Sequence, residues 1–228
     1  MVADGPRAVL FDCDGVIADS EPVHLRAFQE VLAPLGITIT PEEYVARYLG
    51  FDDRGVVSEA LRLHGRAIDP KTIEALMTAK AVRLRGVLER EAPIYPGVVD
   101  FVRALVGLPL AVVSGALREE IESILCHAGV GGAFRVIVAA EDVQAGKPDP
   151  EGFLRALAAL GGAGHTITPA ECLVVEDSPA GLEAARRAGM RRLAVSNSYP
   201  AAELRDVADL VVPTLAGLTL ERVQRLFA

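Results

Sequence analysis

Five short apolar runs, each bounded by turn residues, set the strongest limit on what this chain can fold into. They are Ala8 to Phe11, Leu110 to Val113, Val136 to Val138, Cys172 to Val175 and Leu193 to Val195, and Leu210 to Val212 offers a sixth at an edge. Runs this short and this continuously apolar suit strands covered on both faces, and amphipathic stretches such as Leu117 to Ala128, Glu151 to Leu160 and Ala180 to Ala188 lie between them. The alternation predicts an α/β fold with a Rossmann-like parallel sheet.

The spacing is uneven in one place. About a hundred residues separate the first two runs, whereas later ones follow at intervals typical of βα units. Within that gap, Val23 to Leu35, Pro41 to Tyr48, Arg54 to Leu63 and Lys71 to Leu88 carry apolar residues at three- and four-residue intervals. This predicts a helical subdomain over residues 21–91 inserted into a core formed by residues 1–20 and 92–228. The linkers are expected at Ala18 to Glu21 and at Glu91 to Gly97, the second marked by Pro93 and Pro96-Gly97.

Composition narrows the function. A formal net charge of -8 argues against a nucleic-acid partner, because phosphate backbones are bound by clustered positive charge. The one basic cluster, Arg186, Arg187, Arg191 and Arg192, reads as a solvated helix end. Three widely spaced cysteines suggest neither a disulfide framework nor a zinc site and fit a reducing cytoplasm. The first residues do not resemble a signal peptide, and no apolar run reaches the roughly 18 residues of a membrane span, so no membrane partner is expected. The sequence leaves oligomeric state open, a monomer being compatible with it.

In an open parallel sheet, ligands bind at the carboxyl ends of the strands. After the first run stands Phe11-Asp12-Cys13-Asp14-Gly15-Val16, two carboxylates beside a glycine that frees the turn. After the second comes Ser114-Gly115-Ala116, a hydroxyl and backbone N–H groups leading into a helix, which suits an anion or a simple cap. After the third, Gly146-Lys147-Pro148-Asp149-Pro150 presents a lysine from a proline-fixed loop. After the fourth stands Glu176-Asp177-Ser178-Pro179, where two adjacent acids can serve a metal or cap a helix. Any one of these could be a turn or a cap, but four at successive strand ends point to one site for phosphoryl chemistry.

With these motifs in this order, the chain resembles the haloacid dehalogenase superfamily. It is most similar to the branch containing β-phosphoglucomutase and phosphoglycolate phosphatase, whose helical cap is inserted just after the first motif. The resemblance implies that Asp12 is a nucleophile forming an aspartyl-phosphate and Asp14 a general acid and base. It implies that Ser114, Gly115 and Lys147 hold and balance the phosphoryl group. Mg²⁺ is implied at Asp12, Asp14 through its carbonyl, Asp177 and Glu176, the last directly or through water. Asp14 also argues for phosphorus, because the dehalogenase and phosphonate-cleaving branches lack this second aspartate.

The expected activity is therefore hydrolysis of a small phosphorylated metabolite, a sugar phosphate or phosphoglycolate-like monoester. A β-phosphoglucomutase-type mutase is the alternative, followed by a non-catalytic phosphate-binding module. His24 stands at the mutase's offset from the nucleophile, and Ser20 and Glu21 mark the hinge before it. Lys80 and Arg54 are further candidates for substrate contact. Two departures favour hydrolysis over the mutase: Arg54 follows Gly50 one residue late and behind acids, and Ser114-Gly115-Ala116 replaces Ser-Ala-Ser.

Overall fold

The computed structural model describes residues 5–48, 51–161 and 167–228. In chain order the elements are β1 (Ala8–Phe11), α1 (Glu21–Leu32), α2 (Pro41–Arg47), α3 (Asp53–Leu63), α4 (Pro70–Glu91) and α5 (Val98–Ala104). There follow β2 (Leu110–Val113), α6 (Arg118–His127), β3 (Phe134–Val138), α7 (Glu151–Leu160) and β4 (Cys172–Glu176). The chain ends with α8 (Pro179–Arg187), β5 (Arg191–Val195), α9 (Ala201–Leu204), β6 (Leu210–Val212) and α10 (Leu220–Gln224). It divides into two compact units, residues 1–19 with 92–228, and residues 20–91.

The larger unit is a six-stranded parallel sheet in the order β3-β2-β1-β4-β5-β6. Strands β1, β2 and β4 are buried at every residue, which explains why they are apolar throughout apart from Glu176 at the end of β4, whereas β3 and β6 at the two edges are partly exposed. Leu10, Val113, Val138, Phe153 and Val174 belong to one continuous core beneath α7 and α8. The chain leaves β1 toward β2 and β3, then crosses back to β4 on the other side of β1. The strand order thus reverses between β1 and β4, which makes their carboxyl ends the expected crevice. Phe11 pairs with both Val112 and Val175, so the residues that follow all three strands emerge at one level.

The two expected linkers are bonded to each other. Ala18 bridges Ile94, the Asp19 N–H donates to the Pro93 carbonyl at 2.7 Å, and the Tyr95 N–H donates to the Ile17 carbonyl at 3.0 Å. The sequence reading assigns no element between Gly97 and β2, yet α5 forms there. Seven residues are too few for a clear helical period.

The smaller unit is all helical. Its core gathers Phe28, Val31, Leu32, Tyr44, Tyr48, Val57 and Leu61, with Ile37 and Ile39 from the connection after α1. Thr40 caps α2 by accepting from the Glu43 N–H at 3.1 Å, and Asp52 caps α3 through the Gly55 N–H at 2.7 Å. No helix among the described residues is long and apolar enough to cross a membrane.

Candidate active site

Asp12 is the first residue past β1, and its N–H continues the ladder to the Val175 carbonyl at 3.0 Å, which fixes the direction in which its side chain leaves the sheet. The next residues turn back sharply, with the Ile17 and Ala18 N–H groups donating to the Cys13 carbonyl at 2.8 and 3.1 Å. Gly15 is required there twice over. Its φ of 78° is open only to glycine at low cost, and a Cβ in its place would collide with the Asp177 carboxylate.

Lys147 reaches the same place from the loop between β3 and α7. Its Nζ lies 2.8 Å from Asp12 Oδ1 and 2.6 Å from Glu176 Oε1, over the ring of Phe153. Two acids brace the loop itself. Glu151 accepts from the N–H groups of Gln144 and Ala145, and Asp142 accepts from the Ala139 N–H and from Arg118. Arg118 also donates to the Ile137 carbonyl and through its own N–H to Glu141, so the start of α6 is tied to the lysine loop.

Glu176 is fully buried at the end of β4. Its Oε2 accepts from the N–H groups of Asp177 and Ser178 at 3.0 Å each and from the Ser178 hydroxyl at 2.9 Å, which turns Oε1 toward Lys147. Gly181 makes room for this carboxylate, since a Cβ there would overlap it. Ser178 caps α8 through the Gly181 N–H. The cap is therefore Ser178, and Glu176 and Asp177 are left for the site.

Ser114 is buried just beyond β2. It does not cap the following helix, whose capping position is Leu117. Its Oγ accepts from the Ala116 N–H at 3.1 Å and donates to Asp14 Oδ2 at 3.4 Å. Gly115 is exposed beside it, with nothing within 4 Å of where its Cβ would stand.

One oxygen from each of Asp12, Glu176 and Asp177 lies within 4.8 Å of the others, all three residues buried. Burial pushes the Asp12 carboxyl well above the usual carboxylate range. Lys147 opposes that rise, and Glu176, Asp177 and Asp14 add to it. Asp177 is pushed up to about 7 by burial and by the charge of Glu176, against a hydrogen bond from Ser198. Burial works against the Lys147 ammonium, but Asp12 and Glu176 outweigh it and hold its pKa above the ordinary value. Three carboxylates facing one ammonium leave an excess of negative charge. Hard oxygen donors in that number and closeness fit a divalent cation.

The fifth strand contributes residues the sequence reading passes over. Asn197 Nδ2 donates to the Gly15 carbonyl at 2.7 Å, and the Ser198 hydroxyl lies beside Gly15 on the same side as the Asp177 carboxylate. The signal for them was available, since Ser196-Asn197-Ser198 directly follows the Leu193 to Val195 run.

The candidates within residues 20–91 stand differently. Lys80 has no exposed surface; its Nζ donates to both oxygens of Asp53 at 2.8 Å and lies 3.0 Å from His24 Nδ1 and over the ring of Phe28. An ammonium so enclosed ties Asp53 and His24 together within the helical unit. His24 is half-buried and Arg54 exposed near the start of α3. Gly50, used to place Arg54, lies outside the described residues. Of the basic cluster, Arg186 and Arg187 both pair with Glu183 and Arg192 pairs with Asp209.

Comparison with known proteins agrees with this geometry. The haloacid dehalogenase-like hydrolase family model matches residues 6–189. Protein CbbY of Rhodobacter capsulatus is 32% identical, with 96% of this chain and 98% of that protein covered. The fructose-1-phosphate phosphatase YqaB of Escherichia coli is 33% identical over 80% of this chain and 92% of its own length. Among solved structures, a mutant CbbY from Rhodobacter sphaeroides in complex with xylulose-(1,5)bisphosphate superposes with a TM-score of 0.81 at 29% identity, covering 93% of this chain and 96% of that one. A parallel sheet with a helical insertion after β1, four motifs at its strand ends and a family match over most of the length place this chain among the haloacid dehalogenase-like hydrolases.

Proposed function

We propose that the protein is a Mg²⁺-dependent phosphatase that hydrolyses a small phosphorylated metabolite, with a sugar phosphate as the substrate class. The observation that carries this reading is the Asp12 carboxylate at the switch point, held by Lys147 and grouped with Glu176 and Asp177. In the first step an Asp12 oxygen attacks phosphorus as the bond to the ester oxygen breaks, giving an acyl phosphate on Asp12 and an alcohol that takes its proton from Asp14. In the second, Asp14 removes a proton from water, the water oxygen attacks the same phosphorus, and the Asp12 carboxylate leaves as phosphate departs.

The electrostatics explain why these residues come as a set. A carboxylate attacking a phosphate dianion faces repulsion, and burial already disfavours the Asp12 anion. Lys147 offsets both effects. Ser114, beside Asp14, and the Gly115 N–H are assigned to the phosphoryl oxygens. Mg²⁺ would be held by Asp12, Asp177, the Asp14 carbonyl and Glu176, directly or through water, and when bound it polarises the phosphoryl group and neutralises its charge.

The sugar-phosphate class rests on one relative whose name specifies fructose 1-phosphate and on another whose solved structure carries xylulose-(1,5)bisphosphate. His24 and Arg54 are assigned to the non-reacting part of the substrate. Buried Cys13 and Cys172 and exposed Cys126 are all free thiols, which fits a reducing compartment such as the cytoplasm.

The test is phosphate release from p-nitrophenyl phosphate and from a panel of sugar phosphates and phosphoglycolate, with and without Mg²⁺, for wild type and Asp12→Asn. Mg²⁺-dependent release that disappears in the variant is expected. Activity retained by Asp12→Asn would remove the nucleophile assignment. Accumulation of glucose 6-phosphate from β-glucose 1-phosphate, with a bisphosphate primer and no free phosphate, would favour the mutase.

A further inference from the structure

We infer that Asn197 and Ser198, at the end of β5, are positioning residues for the cation site, holding the Asp14–Gly15 turn and the Asp177 carboxylate in ligating geometry. The inference rests on the Mg²⁺ reading above and extends the site from four strand ends to five.

The geometry around Gly15 is the first support. Its N–H donates to the Ala18 carbonyl at 2.9 Å and its carbonyl accepts from Asn197 Nδ2 at 2.7 Å, so the peptide planes on both sides of Gly15 are tied. Peptides are planar, so fixing the Gly15 N–H also fixes the Asp14 carbonyl across the same bond, pointing it away from Ala18. That carbonyl is one of the proposed ligands. Gly15 tolerates many φ values, and Asn197 supplies the restraint that the residue itself does not.

Asp177 is the second support. Its carboxylate and the Ser198 hydroxyl both flank Gly15, since a Cβ on Gly15 would meet Asp177 and would stand 2.8 Å from Ser198 Oγ. Ser198 thus brings a hydroxyl donor beside an Asp177 carboxylate that is grouped with, and repelled by, those of Asp12 and Glu176. A short side chain under such repulsion turns away unless a donor fixes it. Partners of metal ligands of this kind typically change metal affinity by about 10- to 100-fold when removed.

The β5 end is itself well placed for this role. Ser196 continues the sheet by donating its N–H to the Val212 carbonyl at 3.0 Å, so Asn197 and Ser198 start from a fixed strand end.

The experiment is calorimetric titration of Mg²⁺ into the full chain, without substrate, for wild type, Ser198→Ala, Ser198→Thr and Asn197→Ala, alongside metal-free melting curves. Weakening of Mg²⁺ binding by about tenfold or more is expected for Ser198→Ala and Asn197→Ala, with Ser198→Thr close to wild type and metal-free melting little changed. Unchanged affinity in both alanine variants overturns the inference and leaves the Mg²⁺ reading intact. Equal loss in Ser198→Thr and Ser198→Ala also overturns it for Ser198, because loop packing and not the hydroxyl would then be at work. A wild-type chain that binds no Mg²⁺ removes both readings together.

Discussion

The Nζ of Lys147 lies 2.8 Å from Oδ1 of Asp12, joining side chains 135 residues apart at the carboxyl end of the sheet. The same ammonium is 2.6 Å from Glu176, so one lysine stands between two buried carboxylates. Lys147→Gln is expected to lower kcat by about 10²- to 10³-fold, the range seen when one electrostatic stabiliser of a transition state is removed. Lys147→Arg should not restore it, because a planar guanidinium cannot replace a compact ammonium in this space. Steady-state kinetics at saturating Mg²⁺ check both.

Asp12→Asn should be inactive yet more stable than wild type when metal-free. Burial and three neighbouring carboxylates raise the Asp12 carboxyl, so its anion is disfavoured in the folded state despite Lys147. An amide of the same shape removes that charge. The melting temperature in EDTA is the measurement, and a variant melting below wild type would contradict the electrostatic account.

Cation affinity should weaken as pH falls. Asp177 is raised to about 7 in the folded protein, above its ordinary value, so between roughly pH 4 and pH 7 the metal-free fold holds a proton there that the unfolded chain has released. Folding stability from this group is therefore present at low pH and is lost as pH rises through about 7. A cation must displace that proton. Titrations at pH 6, 7 and 8 should show binding weakest at pH 6, accompanied by proton release.

Gly15→Ala and Gly181→Ala should each damage the site, because their Cβ atoms would collide with Asp177 and Glu176. A loss of about 1–3 kcal/mol in stability is expected, larger for Gly15 because of its positive φ, together with weaker cation binding. Gly115→Ala has open space and keeps its N–H, so it should melt like wild type. Urea unfolding of the three variants makes the comparison.

Lys80→Met should destabilise the helical unit by about 3 kcal/mol, since it strands Asp53 without its partner. The double variant Lys80→Met with Asp53→Asn should recover most of that loss. A double-mutant cycle in urea measures the coupling.

The strands and the ingredients of the candidate site were legible in the linear order of residues. Continuous apolar runs such as Ala8 to Phe11 and Cys172 to Val175 can be stable only when both faces are covered, so the sheet and its strand ends were legible from one dimension. The same logic marked Asp12, Asp14, Ser114, Glu176 and Asp177, since polar residues directly after such runs must emerge at the carboxyl ends of the strands, and Lys147 was marked by the prolines that fix its loop. Tertiary structure alone decided what each side chain meets there. Ser114 turned to Asp14 and not to a helix cap, Glu176 was aimed at Lys147 by three donors, and Lys80 was enclosed by Asp53 and His24. Those outcomes depend on strand order and on distances between residues far apart in the chain. The pairing of Asn197 with Gly15, 182 residues away, exists only because the chain crosses back past β1 before forming β4 and β5.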